Sequence, residues 1–318
     1  MKHTKKLIAA ILVIVLTLTS LAAFAVAETE AYNVALFTMS ASGEFWSTVM
    51  NGARDAAEEL GIEYTIDGPD SETSFEQQIS MVETAITRGV DAICIAVCDA
   101  EALIPVLEQA AGMGIKIILF NTTCNYEGET FIATDNFMAG QLGGEALAQY
   151  ASSEGQYVCL GSAETVESNR ARIDGAVDWI STNAPDMTLV DTQYCDNDLE
   201  RGMAIVNDWI TANPDLKAIF SNNDTTTIAV ANVLQERDMV EKIVHVGFDA
   251  TETNVVYLEQ DITSAIITQD AYDIGYQSIE AAVTLLDGGT VEPNIATNVA
   301  VVTKENLNDE DIRKILNF

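Results

Sequence analysis

The chain has 318 residues, of which 49 are acidic and 15 are Lys or Arg, so its formal net charge is −34. Hydrophobic residues make up 48% of the chain, which is enough for large buried cores and argues against intrinsic disorder. The length suits one large domain or two medium ones. Nucleic acids and anionic lipid surfaces are excluded as partners, because both are bound mainly through Lys and Arg.

Residues 1–27 have the layout of a secretory signal peptide. They begin with a basic segment that contains Lys2, Lys5 and Lys6, continue with an apolar run, and end in Ala25-Val26-Ala27, which fits a cleavage site. Cleavage would remove three lysines and no acid, so the net charge of the remainder changes from −34 to −37. The alternative is an uncleaved membrane anchor, because the apolar run is long enough to span a bilayer. Either reading predicts export to the periplasm or the exterior of the cell envelope.

The remainder of the chain alternates short apolar strands with amphipathic helices. Strands are predicted at 33–37, 63–66, 92–97, 116–120, 131–134, 157–160, 188–194, 218–220, 243–247 and 264–268, with an extended stretch at 295–302. Helices are predicted at 44–60, from 75 after a capping box of Ser74 and Gln77, and at 102–113, 136–150, 169–182, 200–212, 225–236, 251–260, 272–286 and 309–316. This alternation predicts an α/β protein with two doubly wound parallel-sheet lobes, because such strands are covered by helices on both faces.

The five cysteines do not form a metal-binding pattern. There is no Cys-x-x-Cys motif, and His245 is the single histidine after the leader. Cys98 and Cys124 follow strands that would be neighbours, so a disulfide between them is left open. The cysteines are Cys94, Cys98, Cys124, Cys159 and Cys195.

Polar side chains recur where predicted strands end. Ligands bind beyond the carboxyl ends of the strands in open α/β sheets, so these positions are candidates for a binding site. Amides and carboxylates there could pair with a ligand that carries many hydroxyls, and aromatic rings could cover its apolar faces. Taken singly, each of these residues could instead form a turn or a helix N-cap and take no part in binding. The candidates are Phe45 and Trp46 after the first strand, then Asn121, Asn223, Asp249 and Gln269.

Several stretches, taken in order and spacing, resemble the periplasmic sugar-binding proteins of the ribose and glucose/galactose type. These stretches are Val34-Ala35-Leu36 leading to Phe45-Trp46, Ile132-Ala133-Thr134-Asp135-Asn136, Asn222-Asn223-Asp224, and Val246-Gly247-Phe248-Asp249. The resemblance covers essentially the whole chain after the leader. It implies a monomeric protein without a cofactor that binds a sugar in a cleft between two lobes, closes about a hinge, and delivers the sugar to an ABC transporter permease.

The resemblance also implies lobe boundaries. The first lobe would comprise 28–134 and 270–298, and the second 135–269 and 299–318. Three crossing strands near 134–135, 269–270 and 298–299 would form the hinge between them.

The resemblance further assigns roles to individual residues. Phe45 and Trp46 correspond to the ring-stacking pair, and Arg170 to the cleft arginine that grips ring oxygen and hydroxyls. The hydroxyl partners in the second lobe would be Asn223, Asp249 and Gln269. Asn121 stands where the ribose type has an Asp, which favours hexoses or related polyols, and Asn197 stands where an aromatic residue often completes the stack.

Other functions fit the sequence less well. Asp224 and Asp249 could be the acid and base of a glycosidase, but the stretches around them match binding proteins, and no nucleophile motif or histidine cluster is present. A repressor with the same sensor fold would carry an N-terminal DNA-binding segment where this chain has its leader. Sensing for a chemoreceptor or kinase, or binding of a non-sugar small molecule, stays open as an alternative.

Overall fold

Strands and helices alternate through residues 31–316, the part of the chain that the computed structural model describes. The predicted leader at 1–27 lies outside the described residues. From Tyr32 onward the described chain forms one compact unit. The strands are β1 (Asn33–Phe37), β2 (Glu63–Asp67), β3 (Ala92–Ile95), β4 (Lys116–Phe120), β5 (Thr130–Ala133), β6 (Gly155–Gly161), β7 (Met187–Tyr194), β8 (Leu216–Ser221), β9 (Val244–Phe248), β10 (Ala265–Gln269), β11 (Asn294–Ala296) and β12 (Val299–Val302).

The helices begin and end within two residues of their predicted bounds. They are α1 (Glu44–Leu60), α2 (Phe75–Arg88), α3 (Ile104–Gly112), α4 (Asn136–Tyr150), α5 (Glu167–Asn183), α6 (Leu199–Ala212), α7 (Asp224–Glu236), α8 (Glu252–Glu259), α9 (Ala271–Leu286) and α10 (Glu310–Leu316). Among the described residues, no helix is both long enough and apolar enough to cross a membrane.

The strands form two six-stranded sheets of the same topology. The first has the order β11-β5-β4-β3-β1-β2 and the second β12-β10-β9-β8-β6-β7. Pairing is parallel in both sheets except between β10 and β12, which run antiparallel. We call the first sheet with α1, α2, α3 and α9 the first lobe, and the second sheet with α4 to α8 and α10 the second lobe. The predicted α/β fold with two doubly wound lobes is therefore confirmed.

Each sheet is buried on both faces, which explains its unbroken apolar strands. In β3 all four residues are buried, and separate apolar clusters cover the two faces of each sheet. Parallel strands covered by helices on both sides have no solvent face, so their sequences do not alternate between polar and apolar residues. The cores therefore lie on either side of each sheet, away from the carboxyl ends of the strands.

The glycine-rich run Gly140–Gly144 lies inside α4 and serves helix packing. A Cβ added at Gly140 would lie 2.1 Å from the carbonyl oxygen of Arg172 on α5, and one at Gly175 would lie 2.1 Å from that of Phe137. The same close approach joins α1 to α9, where Gly275 lies against the carbonyl oxygen of Val49. Only glycine permits backbones this close, so these residues fix the position of α5 and α9 against their neighbours.

The chain crosses between the two sheets three times, and the crossings are hydrogen-bonded to one another. The Thr134 hydroxyl lies 3.1 Å from the Thr297 hydroxyl, and the Thr297 amide donates to the Ala133 carbonyl oxygen. The Asp270 amide donates to the carbonyl oxygen of Asn298 at 3.1 Å. The predicted extended stretch at 295–302 is divided by its crossing into β11 and β12, which belong to different sheets.

The predicted capping box at the start of α2 is wrong. The Ser74 side chain makes no cap hydrogen bond, and its hydroxyl lies 2.7 Å from the Ser71 hydroxyl instead. Gln77 accepts a hydrogen bond from the Asp70 amide rather than from Ser74. The loop before α2 therefore uses both side chains to hold its own turn, which competes with capping.

The cysteines and His245 are structural in this fold. All five cysteines lie within the described residues and are free thiols, so the disulfide left open for Cys98 and Cys124 does not form. His245 is fully buried, with its ring nitrogens 2.9 Å from the Ser221 hydroxyl and 3.0 Å from the Thr263 hydroxyl. Burial lowers the pKa of His245 to about 3, so the ring stays neutral at physiological pH.

Candidate ligand-binding site

A small cavity lies between the two lobes, beyond the carboxyl ends of strands from both sheets. The space between its lining side chains, with its open mouth included, is about 300 Å³. Its lining from the first lobe is Met39, Phe45, Trp46, Glu72 and Asn121, and its lining from the second is Val166, Ser168, Asn169, Arg172, Asn223, Asp224, Asp249 and Gln269. The cavity is therefore polar on most sides and aromatic on one.

Asn121 and Asp249 hold equivalent places in the two lobes. Asn121 follows β4 and Asp249 follows β9, and each of these strands is third in its sheet. Both residues have left-handed backbone conformations, with φ of 57° and 62°. Asn and Asp tolerate this conformation better than other non-glycine residues. A left-handed turn at the strand end therefore presents each side chain to the cavity.

Asp249 and Gln269 form a buried pair on the floor of the second lobe. The Gln269 side-chain amide donates to the Asp249 carboxylate at 2.9 Å, which leaves Gln269 Oε1 without a partner among the described residues. Asn121 Oδ1 is likewise buried and unpartnered. Buried polar atoms are nearly always hydrogen-bonded in folded proteins, and these two acceptors are free to pair with donors that enter the cavity.

Asn223 lines the cavity, whereas Asn197 supports it from behind. The Asn223 side chain caps α7 by accepting from the Thr226 amide, so the predicted strand-end residue is also the predicted N-cap. Its side-chain nitrogen donates to Asn197 Oδ1 at 2.9 Å, and the Ser162 hydroxyl donates to the same oxygen. Asn197 is not part of the cavity lining. Asn197 therefore contacts a residue that lines the cavity, whereas the prediction placed Asn197 itself in the lining.

The arginine in the cavity is Arg172, and the prediction of Arg170 is corrected accordingly. Arg170 is part-exposed, and its guanidinium donates to the Glu164 carbonyl oxygen outside the cavity. Arg172 is 3% exposed and lines the cavity. Residues two apart on a helix point to nearly opposite sides. The orientation of α5 against α4 therefore decides which arginine faces inward.

Arg172 is held rigidly by the second lobe. Its Nε donates to Asn136 Oδ1 at 2.8 Å and its Nη1 to the Asn222 carbonyl oxygen at 2.9 Å. Nη1 also lies 4.0 Å from Asp249 Oδ2, and the guanidinium carbon lies 4.1 Å from the centre of the Phe248 ring. A planar guanidinium can satisfy these contacts together, whereas a lysine could not.

The aromatic wall of the cavity comes from the start of α1. Phe45 and Trp46 pack edge to face, with ring centres 4.9 Å apart, and both are at least nine-tenths buried. The Trp46 indole nitrogen donates to Glu72 Oε1 at 2.9 Å. Glu72 lies in the loop between β2 and α2, so this loop fixes the ring plane of Trp46. Sequence reasoning selected the two rings and missed the glutamate that orients one of them.

Burial shifts the ionisation of every charged group in the cavity. It raises the pKa of Glu72 and of Asp249, although Arg172 opposes the shift of Asp249. Burial, followed by the charges of Asp249 and Glu72, raises the pKa of Asp224 to about 7. Burial also lowers the pKa of Arg172, against the attraction of Asp249. The cavity therefore holds carboxylates that ionise reluctantly, and perturbed groups of this kind cluster at functional sites.

The two lobes touch across the cavity. The Glu44 carboxylate, at the start of α1, accepts from the amide and the hydroxyl of Thr253 in the first turn of α8. The Ser162 hydroxyl in the second lobe lies 3.4 Å from Glu72 Oε2 in the first. A carboxylate at a helix N-terminus is stabilised by the free amides and the helix dipole. These contacts hold the lobes in a closed arrangement.

Glu44→Ala is expected to weaken ligand binding about 3- to 10-fold, because it removes a hydrogen bond that exists only when the lobes are closed. Glu76→Ala is the matched control, since Glu76 is also an exposed acid in the first turn of a helix. Isothermal titration calorimetry on both variants checks the result. Equal affinities in the two variants would contradict a role for Glu44 in closure.

The residues that sequence reasoning missed share a simple signal. Glu72 lies in the loop that follows β2, and Ser168 and Asn169 lie at the start of α5 after β6, so the strand-end rule applied to these strands points to them. Asp224 also lines the cavity, directly after Asn223 at the end of β8. Within the described residues, no group of three or more His, Cys, Asp or Glu side chains is placed to hold a metal ion.

Comparison with known proteins agrees with this architecture. The family described as "Periplasmic binding protein domain" matches residues 34–290. The D-ribose/D-allose-binding protein of Pseudomonas aeruginosa is 28% identical over 291 residues, which cover 87% of this chain and 91% of the relative. A carbohydrate transporter solute-binding protein of Agrobacterium radiobacter, crystallised with D-arabinose, superposes with a TM-score of 0.88 at 27% identity and covers 91% of this chain and 100% of its own.

A second solved structure gives the same result. An ABC transporter solute-binding protein of Agrobacterium vitis with bound D-fucose has a TM-score of 0.86 at 28% identity and covers 89% of this chain and 99% of its own. The family consists of solute-binding proteins of ABC transporters and not of enzymes, which settles against the glycosidase alternative. The resemblance inferred from the sequence motifs is confirmed: the chain belongs to the periplasmic binding protein family, with the two-lobe type I fold.

Proposed function

We propose that the protein captures a monosaccharide or a related polyol in the cavity between its lobes. The observation that carries this proposal is the combination of two buried aromatic rings with unpartnered amide oxygens and carboxylates in one cavity. Aromatic rings cover the apolar C–H faces of a sugar, whereas amides and carboxylates pair with its hydroxyls. The three relatives above are named for, or were crystallised with, D-ribose or D-allose, D-arabinose and D-fucose, which supports this class.

In this proposal each side chain of the cavity has a defined task. Phe45 and Trp46 stack on the ring of the ligand, and Arg172 and Asp249 bind hydroxyls from the second lobe. Asn121 and Gln269 accept from further hydroxyls through their free oxygens. Asn223 is a further hydroxyl partner, and Asn197 positions it. Because both lobes contribute, ligand binding favours the closed form and removes water from these contacts.

Delivery to the membrane follows from closure. We propose that the closed protein docks, as a monomer in the periplasm or on the cell envelope exterior, on the permease of an ABC transporter. Family membership and the leader predicted at 1–27 support this location. Loss of uptake of the bound sugar after deletion of the gene, with rescue by the wild-type chain, tests delivery separately from binding.

A thermal-shift screen tests the ligand class. We expect the melting temperature to rise with at least one member of a panel of pentoses, hexoses, inositols and amino sugars. A ligand at about 100 times its dissociation constant stabilises the folded state by roughly 2.7 kcal/mol, which is readily measured. Calorimetry then measures the affinity of each compound that raises the melting temperature. A shift with a peptide or a nucleoside, and with none of the polyols, would overturn the proposed function.

A further inference from the structure

The cavity is lined by more acidic than basic side chains. Three carboxylates, those of Glu72, Asp224 and Asp249, line it together with the single guanidinium of Arg172. Glu72 is 7% exposed and Asp249 is 4% exposed, so solvent screens both poorly. Burial raises the pKa of all three carboxyl groups, so a positive group on the ligand would favour their ionised forms, which a neutral polyol would not do. The excess of acidic over basic side chains therefore bears on the chemistry of the ligand.

Arg172 forms a salt bridge with only one of the three acids. Its guanidinium lies 4.0 Å from Asp249 and is fixed there by Asn136 and the Asn222 carbonyl. Glu72 accepts from the Trp46 indole nitrogen and lies 3.4 Å from the Ser162 hydroxyl, and neither Glu72 nor Asp224 takes part in a salt bridge found among the described residues. Two carboxyl groups thus line the cavity without a salt bridge, although the charge of Arg172 also acts on both.

These two carboxyl groups lie on the Trp46 side of the cavity. Glu72 accepts from the indole nitrogen, and a Cβ added at Gly43 would lie 3.7 Å from Asp224 Oδ2 and 4.0 Å from Trp46 Cδ1. The charge of Glu72 contributes to the raised pKa of Asp224, so the two acids act on each other. One corner of the cavity is therefore suited to a positive charge.

A second, independent observation is the pattern of free hydrogen-bonding atoms. Asn121 Oδ1 and Gln269 Oε1 are buried and unpartnered, and both are acceptors. The amide nitrogens of Gln269 and Asn223 each donate one of their two hydrogens, to Asp249 and Asn197. The cavity thus presents two free acceptors together with carboxyl groups that form no salt bridge. A protonated amine, which only donates, can pair with both.

We propose that the ligand is a polyol that carries a protonated amino group, such as an amino sugar or an aminated cyclitol. Its ammonium group lies between Glu72 and Asp224 beside Trp46, and its hydroxyls face Arg172 and Asp249. This inference rests on the proposed function and narrows its ligand class. The carboxylates are not placed to form a metal site within the described residues, which favours an organic cation.

Calorimetry with matched pairs of compounds tests the inference. The probes are D-glucosamine with D-glucose, D-galactosamine with D-galactose, and an aminated inositol with the parent inositol. We expect at least one amine to bind about 10- to 100-fold more tightly than its neutral partner, as hydrogen bonds to charged groups allow. Equal or tighter binding of every neutral partner would overturn this inference and leave the proposed function intact. Binding of no compound in any pair would overturn both.

Charge-neutralising variants locate the amine. Glu72→Gln and Asp224→Asn are expected to reduce affinity for the amine about tenfold or more, and to reduce affinity for the neutral partner by clearly less. Glu164→Gln, an exposed acid outside the cavity, is the matched control and should change neither affinity. Equal losses for the amine and its neutral partner in both variants would show a structural role and contradict the proposal.

The pH dependence of binding gives a further readout. Burial and the charges of Asp249 and Glu72 raise the pKa of Asp224 to about 7, while the Thr225 amide and hydroxyl stabilise its ionised form. Arg172 is the cation that faces the same cavity. Asp224 gains a proton as the pH falls through about 7, so amine affinity is expected to fall between pH 7.5 and 5.5. Asp224→Asn should flatten this profile, and an unchanged profile in that variant would contradict the assignment.

Discussion

Arg172→Ala is expected to weaken sugar binding by at least about 100-fold, whereas Arg170→Ala should leave the affinity within about threefold. Truncating a buried, hydrogen-bonded charge costs roughly 2–5 kcal/mol, because it also leaves Asp249 without its partner. Arg170 is part-exposed and donates to a backbone carbonyl outside the cavity, and contacts of this kind contribute little. The two arginines lie on one helix and differ in position by two residues, so they form a matched pair.

Calorimetry measures both variants with the tightest ligand from the screen. Thermal unfolding of the free proteins shows whether each variant folds. If Arg172→Ala does not fold, Arg172→Lys is measured in its place. The lysine keeps the charge but cannot donate to Asn136 and Asn222 together, so it should still lose about tenfold or more in affinity. Loss of binding in Arg170→Ala with retention in Arg172→Ala would reverse the site assignment.

Gly275→Ala is expected to destabilise the protein by about 3 kcal/mol or more. A Cβ at this position would lie 1.9 Å from the Val49 carbonyl oxygen and 3.0 Å from the Ala53 amide nitrogen, so α9 must move away from α1. Both contacts are with backbone, which cannot rotate aside as a side chain can. Overpacking a well-filled interior typically costs 1–3 kcal/mol, and separating two helices adds lost contacts along their length.

Gly112→Ala provides the matched control for this change. Gly112 is exposed in α3, and an added Cβ there meets no atom within 4 Å. The same substitution should therefore stabilise by about 0.5–1 kcal/mol, through higher helix propensity. Chemical denaturation of both variants measures the difference in the free energy of unfolding. A Gly275→Ala variant as stable as the wild type would show that α1 and α9 are not in close contact.

A residue at a strand end can form a turn or a helix cap and also belong to the binding site. Asn223 caps α7 and lines the cavity, and Asp249 forms a left-handed turn and pairs with Gln269. Asp135, at the first crossing between the sheets, caps α4 by accepting from the Met138 amide. The turn that ends a strand is what carries the side chain to the sheet edge. At these positions one residue therefore both fixes the local turn and places its side chain in the site.

The amino-acid sequence by itself determined the fold and most of the cavity wall. Apolar runs of strand length and amphipathic helices are local patterns, so their alternation predicts the sheets and the edge at which Phe45, Trp46, Asn121, Asp249 and Gln269 meet. The motifs that resemble the family are also local patterns, because they consist of residues at strand ends.

Only the tertiary structure decided the features that depend on how elements rotate and approach one another. The choice of Arg172 over Arg170 follows from the contact of α5 with α4 at Gly140 and Gly175, which no periodicity in α5 reveals. Glu72 reaches the cavity because the loop after β2 folds over Trp46, and its charge matters because Asp224 approaches from the other lobe. Charges far apart in sequence act together only when burial brings them close and removes the water between them.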